Sequence, residues 1–156
     1  MKITPGQHVP DFSLYDSEKN KITLSELTGH NVLLLFFPAA FTGTCTKELC
    51  SVRDNMGFYN DTNAKVFGIS VDMIYSLSKY KEEQGLNFPL LSDFNKEVSA
   101  AYGSLYDTFS YEMRGVSKRA AFVIDKNGIV RYGEVLERAS ELPNFLAIQK
   151  MLQSLN

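Results

Sequence analysis

Two cysteines, Cys45 and Cys50, are the only thiols in the 156-residue chain, and the first sits where a thiol is reactive. An apolar run from Val32 to Phe37 stops at Pro38, and an amphipathic pattern begins near Thr42, so Cys45 falls in the first turn of a helix. The first four N–H groups of a helix have no internal partner, and with the macrodipole they present roughly half a positive charge. A sulfur held there is favoured as its thiolate, which is the nucleophilic form. Thr42 lies three residues before it. Its hydroxyl either caps the helix or hydrogen-bonds the thiolate or an oxygen bound beside it. Pro38 lacks an N–H, ends the apolar run and shields the sulfur's side. Glu48, three residues beyond Cys45, can reach a basic group over the site. A lone cysteine on an apolar stripe is ordinarily packing, and a lone threonine an ordinary cap. The conjunction Pro-x-x-x-Thr-x-x-Cys between a buried strand and a helix is far rarer, and it points to a nucleophile.

The elements that must position these residues follow from periodicity. Asp11–Leu14 and Lys21–Thr23 flank a turn-rich Asp16–Asn20, a hairpin pattern, and Ser25–Gly29 suits one helical turn closed by glycine. Val32–Phe37 is apolar at every position, as a strand buried on both faces reads. Phe41, Cys45, Leu49, Val52, Met56 and Tyr59 recur at helical spacing, predicting one helix from Thr42 to about Tyr59. Lys65–Val71 is a second buried strand, and Met73, Ile74, Leu77 and Tyr80 mark a helix ending near Gly85. Phe88–Leu91 contains Pro89, which places that strand at an edge or puts the proline at its start. Asn95–Tyr102 reads as a short helix and Gly103–Lys118 as a long loop that either folds over the site or is plain surface. Asp125-Lys126-Asn127-Gly128 joins strands Ala120–Ile124 and Ile129–Val135 as a hairpin, before a closing helix marked by Leu142, Phe145, Ile148, Leu152 and Leu155. Strands alternating with crossover helices, then an antiparallel hairpin, predict an α/β thioredoxin-like fold: a mixed central sheet flanked by helices, with an N-terminal β-hairpin elaboration.

Composition narrows the function classes. One domain over residues 1–156 is expected from the length, and 44% hydrophobic against 22% charged residues argues against disorder. A net charge of −2 supplies no basic field for nucleic acid. No apolar run approaches the ~18 residues of a membrane span, and Met1-Lys2-Ile3-Thr4-Pro5-Gly6 does not resemble a signal peptide. Two cysteines are no disulfide scaffold, so a reducing, cytoplasmic setting is expected. His8 and His30 are isolated, so neither a metal nor another cofactor is expected.

Pro38-Ala39-Ala40-Phe41-Thr42-Gly43-Thr44-Cys45 resembles the active-site motif of the peroxiredoxins. The similarity continues through Gly6–Leu14, Phe88–Asp93, Tyr102-Gly103 and Arg119–Asp125, nearly the whole chain. The apolar lead-in and a second cysteine five residues on are most similar to the bacterioferritin-comigratory (Q-type) and E-type alkyl hydroperoxide reductase-like branch. The resemblance implies a thiol peroxidase. Cys45 would attack a hydroperoxide and become a sulfenic acid. Thr42 would orient the peroxide, and Arg119 would hold the thiolate and the charge building on the peroxide oxygens. Pro38 would shield the sulfur, and Glu48 would orient an arginine. Read without it, Arg119 is one solvated charge before a strand, and Arg53 and Arg114 are weaker candidates still. An external thiol reductant, thioredoxin-like or a small thiol, and a homodimer are the partners it implies, with Phe41 and the aromatics of 103–118 as contributors to the dimer.

Cys50 has two readings. Five positions along a helix separate Cα atoms by about 8–9 Å, whereas a disulfide needs less than about 7 Å. Cys50 resolves the sulfenic acid only if the first helical turns unwind; otherwise it is a spectator and an outside thiol resolves. Two rival functions use the same sulfur. A thioredoxin-type oxidoreductase needs a Cys-x-x-Cys pair and a proline where this chain has Gly115–Arg119. A non-enzymatic redox sensor would oxidise Cys45 without turnover.

Overall fold

Val32 to Phe36 are apolar throughout because they lie in the interior of a seven-stranded sheet. The computed structural model describes residues 3–156, so Met1 and Lys2 of the opening segment fall outside it. In chain order the elements are β1 (Ser13–Asp16), β2 (Lys21–Thr23), β3 (Asn31–Phe36), α1 (Gly43–Asp54), α2 (Met56–Asp61), β4 (Ala64–Ser70), α3 (Ile74–Gln84), β5 (Leu90–Ser92), α4 (Glu97–Ala101), β6 (Arg119–Ile124), β7 (Val130–Leu136) and α5 (Phe145–Ser154). Short 3-10 turns cover Leu24–Leu27 and Ser110–Glu112. The strand order is β2-β1-β5-β4-β3-β6-β7. β3 pairs with β4, and β4 with β5, in parallel, while the hairpins β1–β2 and β6–β7 and the pairs β1–β5 and β3–β6 are antiparallel.

Successive side chains of a strand point to opposite faces, so β3 feeds two cores. Leu33 and Leu35 pack with Leu49 and Val52 of α1, Leu77 and Tyr80 of α3, and Ile148 and Leu152 of α5. Val32, Leu34 and Phe36 pack with Phe12, Leu24, Val98 and Tyr102 on the other face. All six residues of β3 are buried. This is the mixed sheet with helices on both faces that the strand and helix pattern predicts.

Two expectations need correction, and a third offered two positions of which the structure takes one. The helix from Thr42 to Tyr59 is two helices, broken at Asn55 (φ −114°, ψ 16°), whose Nδ2 donates to Ser51 O at 3.2 Å. The side-chain amide takes the Ser51 carbonyl that the helical ladder would use, and the helix is interrupted there, while Tyr59 is still buried in the core. Phe41 belongs to neither helix; it is 54% exposed, with φ +65°, so it does not share the core-facing stripe. β5 is no edge strand, since it lies between β1 and β4; Pro89 precedes it, the start position the proline also allowed. Gly68 sits in close contact where β4 meets β5: a Cβ there would sit 2.7 Å from Leu90 Cδ2 and 3.3 Å from the Phe37 ring, so the buried Leu90 side chain would have to shift.

Candidate active site

The site forms where β3 runs out. Phe37 N–H still donates to Ile69 O (2.9 Å), and the buried Pro38 then turns the chain toward α1. Thr42 occupies the N-cap position and Cys45 the third residue of α1, within the turn of unpaired N–H groups. The Thr42 hydroxyl makes no capping bond. It donates to Ala39 O at 2.8 Å. With its proton committed there, the oxygen keeps lone pairs to accept from a ligand's O–H.

Arg119 opens β6, and antiparallel pairing of β3 with β6 sets Ala120 opposite Phe36, bringing the arginine to the end of the strand that leads to Cys45. Its Nη2 donates to Cys45 Sγ at 3.2 Å and its Nη1 to Glu48 Oε1 at 2.7 Å. Cys45 and Glu48 share one helix face at i, i+3, so one planar guanidinium spans both. Ala139 O, in the loop before α5, accepts from Nη2 (2.8 Å) and Nε (3.2 Å) and fixes the plane of the fork. Cys45, Glu48 and Arg119 are each no more than 1% exposed.

Burial pushes the Glu48 carboxyl up to about 7, outweighing the attraction of Arg119, and Glu134 adds to the rise. Its second oxygen, Oε2, is buried without a hydrogen-bond partner, consistent with a carboxyl that gives up charge there. Burial opposes the charge of Arg119, but Glu48 and the sulfur of Cys45 outweigh it and hold the guanidinium above its ordinary value. The fixed charge at the site is therefore a cation, 3.2 Å from the sulfur.

A cavity of about 200 Å³ lies over Cys45, lined by Pro38, Thr42, Phe109, Arg119 and Ala139 among others. The structure thus gathers Pro38, Thr42, Cys45, Glu48 and Arg119 in one place. The 103–118 loop does reach the site, through Phe109, whose ring packs on Tyr106 at 5.1 Å. Cys50 stands apart, half-buried, with Sγ 3.7 Å from Gln84 Oε1 of α3, and both cysteines are free thiols. Arg53 pairs with Asp54 (2.9 Å) and Arg114 is exposed, so neither joins the site. His8 is exposed, and His30 Nδ1 lies 2.9 Å from Asn63 Oδ1 just before the start of β3, at the opposite end of that strand from the turn that leads to Cys45. Ala139 and Phe109 carry no sequence signal for the site: one acts through its carbonyl, the other is one aromatic among three in a loop. Among the described residues, no helix is long and apolar enough to cross a membrane.

Known proteins resemble this chain over most of its length. The AhpC/TSA family model matches residues 5–133. Alkyl hydroperoxide reductase E of Mycobacterium bovis is 39% identical over 136 residues, covering 85% of this chain and 86% of that protein. The crystal structure of the peroxidoxin BcpB from Mycobacterium tuberculosis superposes with a TM-score of 0.87 at 30% identity, over 99% of both chains. A peroxiredoxin-like protein from Aquifex aeolicus shares the thioredoxin-like fold with a TM-score of 0.90 at 20% identity, over 100% of this chain and 90% of that one.

Proposed function

The chain belongs to the AhpC/TSA family and is a thiol-dependent peroxidase, and from that premise we propose that Cys45 is its peroxidatic sulfur. The observation that carries the assignment is the Arg119 fork, which bonds Cys45 Sγ and Glu48 Oε1 together in a buried site. The Cys45 thiolate attacks the nearer oxygen of a hydroperoxide in line with the O–O bond. The S–O bond forms as O–O breaks, the sulfur is oxidised by two electrons, and the peroxide is reduced by two. The products are a Cys45 sulfenic acid and an alkoxide or hydroxide that takes a proton to leave as alcohol or water. Thr42 accepts the peroxide's O–H and sets its angle. Arg119 stabilises first the thiolate and then the charge on the departing oxygen. Glu48 and Ala139 O hold the guanidinium in plane, and Pro38 keeps water from the sulfur's flank.

Cys50 resolves the sulfenic acid, its sulfur displacing water to form a Cys45–Cys50 disulfide that an external thiol, thioredoxin-like or small, then reduces. α1 is continuous from Gly43 to Asp54, so this step requires its first turns to unwind. The exposed Phe41 (54%), Tyr111 (95%) and Met113 (47%) support a homodimer. One domain spans 1–156, as the sheet running from β2 to β7 suggests, and a chain with only two cysteines suits a reducing compartment such as the cytoplasm.

Stopped-flow oxidation of the wild type and of Cys45→Ser by hydrogen peroxide and by an organic hydroperoxide tests the assignment. A wild-type thiol no faster than free cysteine overturns it. Mass spectrometry of the product tests Cys50: sulfenic or sulfinic acid at Cys45, with Cys50 still free after stoichiometric peroxide, removes it from the mechanism.

A further inference from the structure

The segment carrying Thr42 and Cys45 is tied down on both sides by residues that never touch the sulfur. Upstream, Ala40 N–H donates to Asp72 Oδ2 at 2.8 Å. Asp72 is itself fixed, since Oδ2 also accepts from Ser70 Oγ (2.7 Å), its own N–H donates to Ser70 Oγ (3.2 Å), and Ser92 Oγ donates to its carbonyl. Downstream, Thr46 Oγ1 and Tyr80 Oη share a hydrogen bond of 2.8 Å. The Tyr80 ring is fully buried, 5.1 Å from Phe41 and 6.5 Å from Phe37 between centroids. Burial pushes its hydroxyl up to about 12, so it stays a neutral partner for Thr46. Both ties come from one unit, the end of β4 and the helix α3 that follows it.

Oxidised Cys45 reaches Cys50 only when the first turns of α1 come apart, and the Thr46–Tyr80 bond lies within those turns. We propose that Asp72 and Tyr80 are positioning residues that latch the catalytic segment closed for attack on peroxide, and that release of Thr46 from Tyr80 is part of the opening that allows resolution. The inference rests on the resolving role given to Cys50, but the latch itself exists in the reduced protein. Its strength acts with opposite sign on the two half-reactions: a tighter latch favours oxidation, a looser one resolution. A residue that merely stabilised the fold would not separate them.

The test combines stopped-flow kinetics with amide hydrogen exchange on wild type, Tyr80→Phe, Asp72→Ala and Asp72→Asn. Tyr80→Phe keeps the ring packing and loses one hydrogen bond, so exchange at the amides of 46–50 and the sulfenic-to-disulfide phase should both quicken about fivefold. The peroxide phase should change less than about twofold, because the closed form remains dominant. Asp72→Ala leaves Ala40 N–H unpaired and should slow the peroxide phase, whereas Asp72→Asn retains an acceptor oxygen and restores it. Unchanged exchange at 46–50 in Tyr80→Phe, or a rise matched throughout α5, overturns the latch. If the wild type forms no 45–50 disulfide, the role of Cys50 fails, while exchange at 46–50 still decides the latch.

Discussion

Glu48 ties the stability of the protein to pH in a direction opposite to most carboxylates. The folded protein holds its proton up to about 7, against an ordinary value of 4.5 for a free glutamate, because burial outweighs the pull of Arg119. Below the unfolded value both states are protonated and the contribution to stability is whole. As pH rises between the two values the unfolded chain ionises while the folded state stays protonated, so stability falls by about 1.4 kcal/mol per pH unit. Above the folded value the loss levels off at about 3 kcal/mol in all. Glu48→Gln keeps an oxygen for Arg119 Nη1 and cannot titrate, so it escapes this loss. The comparison is best made with Cys45→Ser in both proteins, which removes oxidation of the thiol. Urea unfolding at about pH 5 and about pH 7.5 should show the gap between the two proteins moving by about 2 kcal/mol in favour of glutamine at the higher pH. A constant gap, or one that moves in favour of glutamate, would refute the reasoning. It would mean that Arg119 holds Glu48 as a carboxylate despite the burial.

Two further outcomes follow from the site and its frame. Arg119→Lys replaces a fork that reaches Cys45, Glu48 and Ala139 O with a single point charge, and stopped-flow oxidation should slow by about 10²–10³-fold; a rate near that of the wild type would show that the planar fork is unnecessary. Gly68→Ala drives a methyl to 2.7 Å from Leu90 Cδ2 between two packed strands, and urea unfolding should show a loss of about 1–3 kcal/mol.

The sequence alone determined what local periodicity and turn chemistry encode. A short unbroken apolar run stopped by Pro38 reads as a doubly buried strand, and β3 is one. The stop at Pro38, the helical spacing that follows and the Asp125–Gly128 turn place Cys45 in a first helical turn and set the closing hairpin, because each depends on neighbours in the chain. Where local signals are silent, tertiary structure decided. Asn55 splits the helix without disturbing the spacing across the break. Pro89 allowed two positions for its strand, and only the pairing of β5 with both β1 and β4 chose between them. Arg119 stands 74 residues from Cys45 and resembles any solvated arginine until β6 pairs with β3; family resemblance pointed to it, spacing could not. Ala139 contributes a carbonyl, which every residue has, and Asp72 and Tyr80 act through contacts across the β4–α3 unit. A side chain's reach along its own strand or helix is written in residue order. The partner it meets across the sheet is set by strand pairing, and that exists only once the chain has folded.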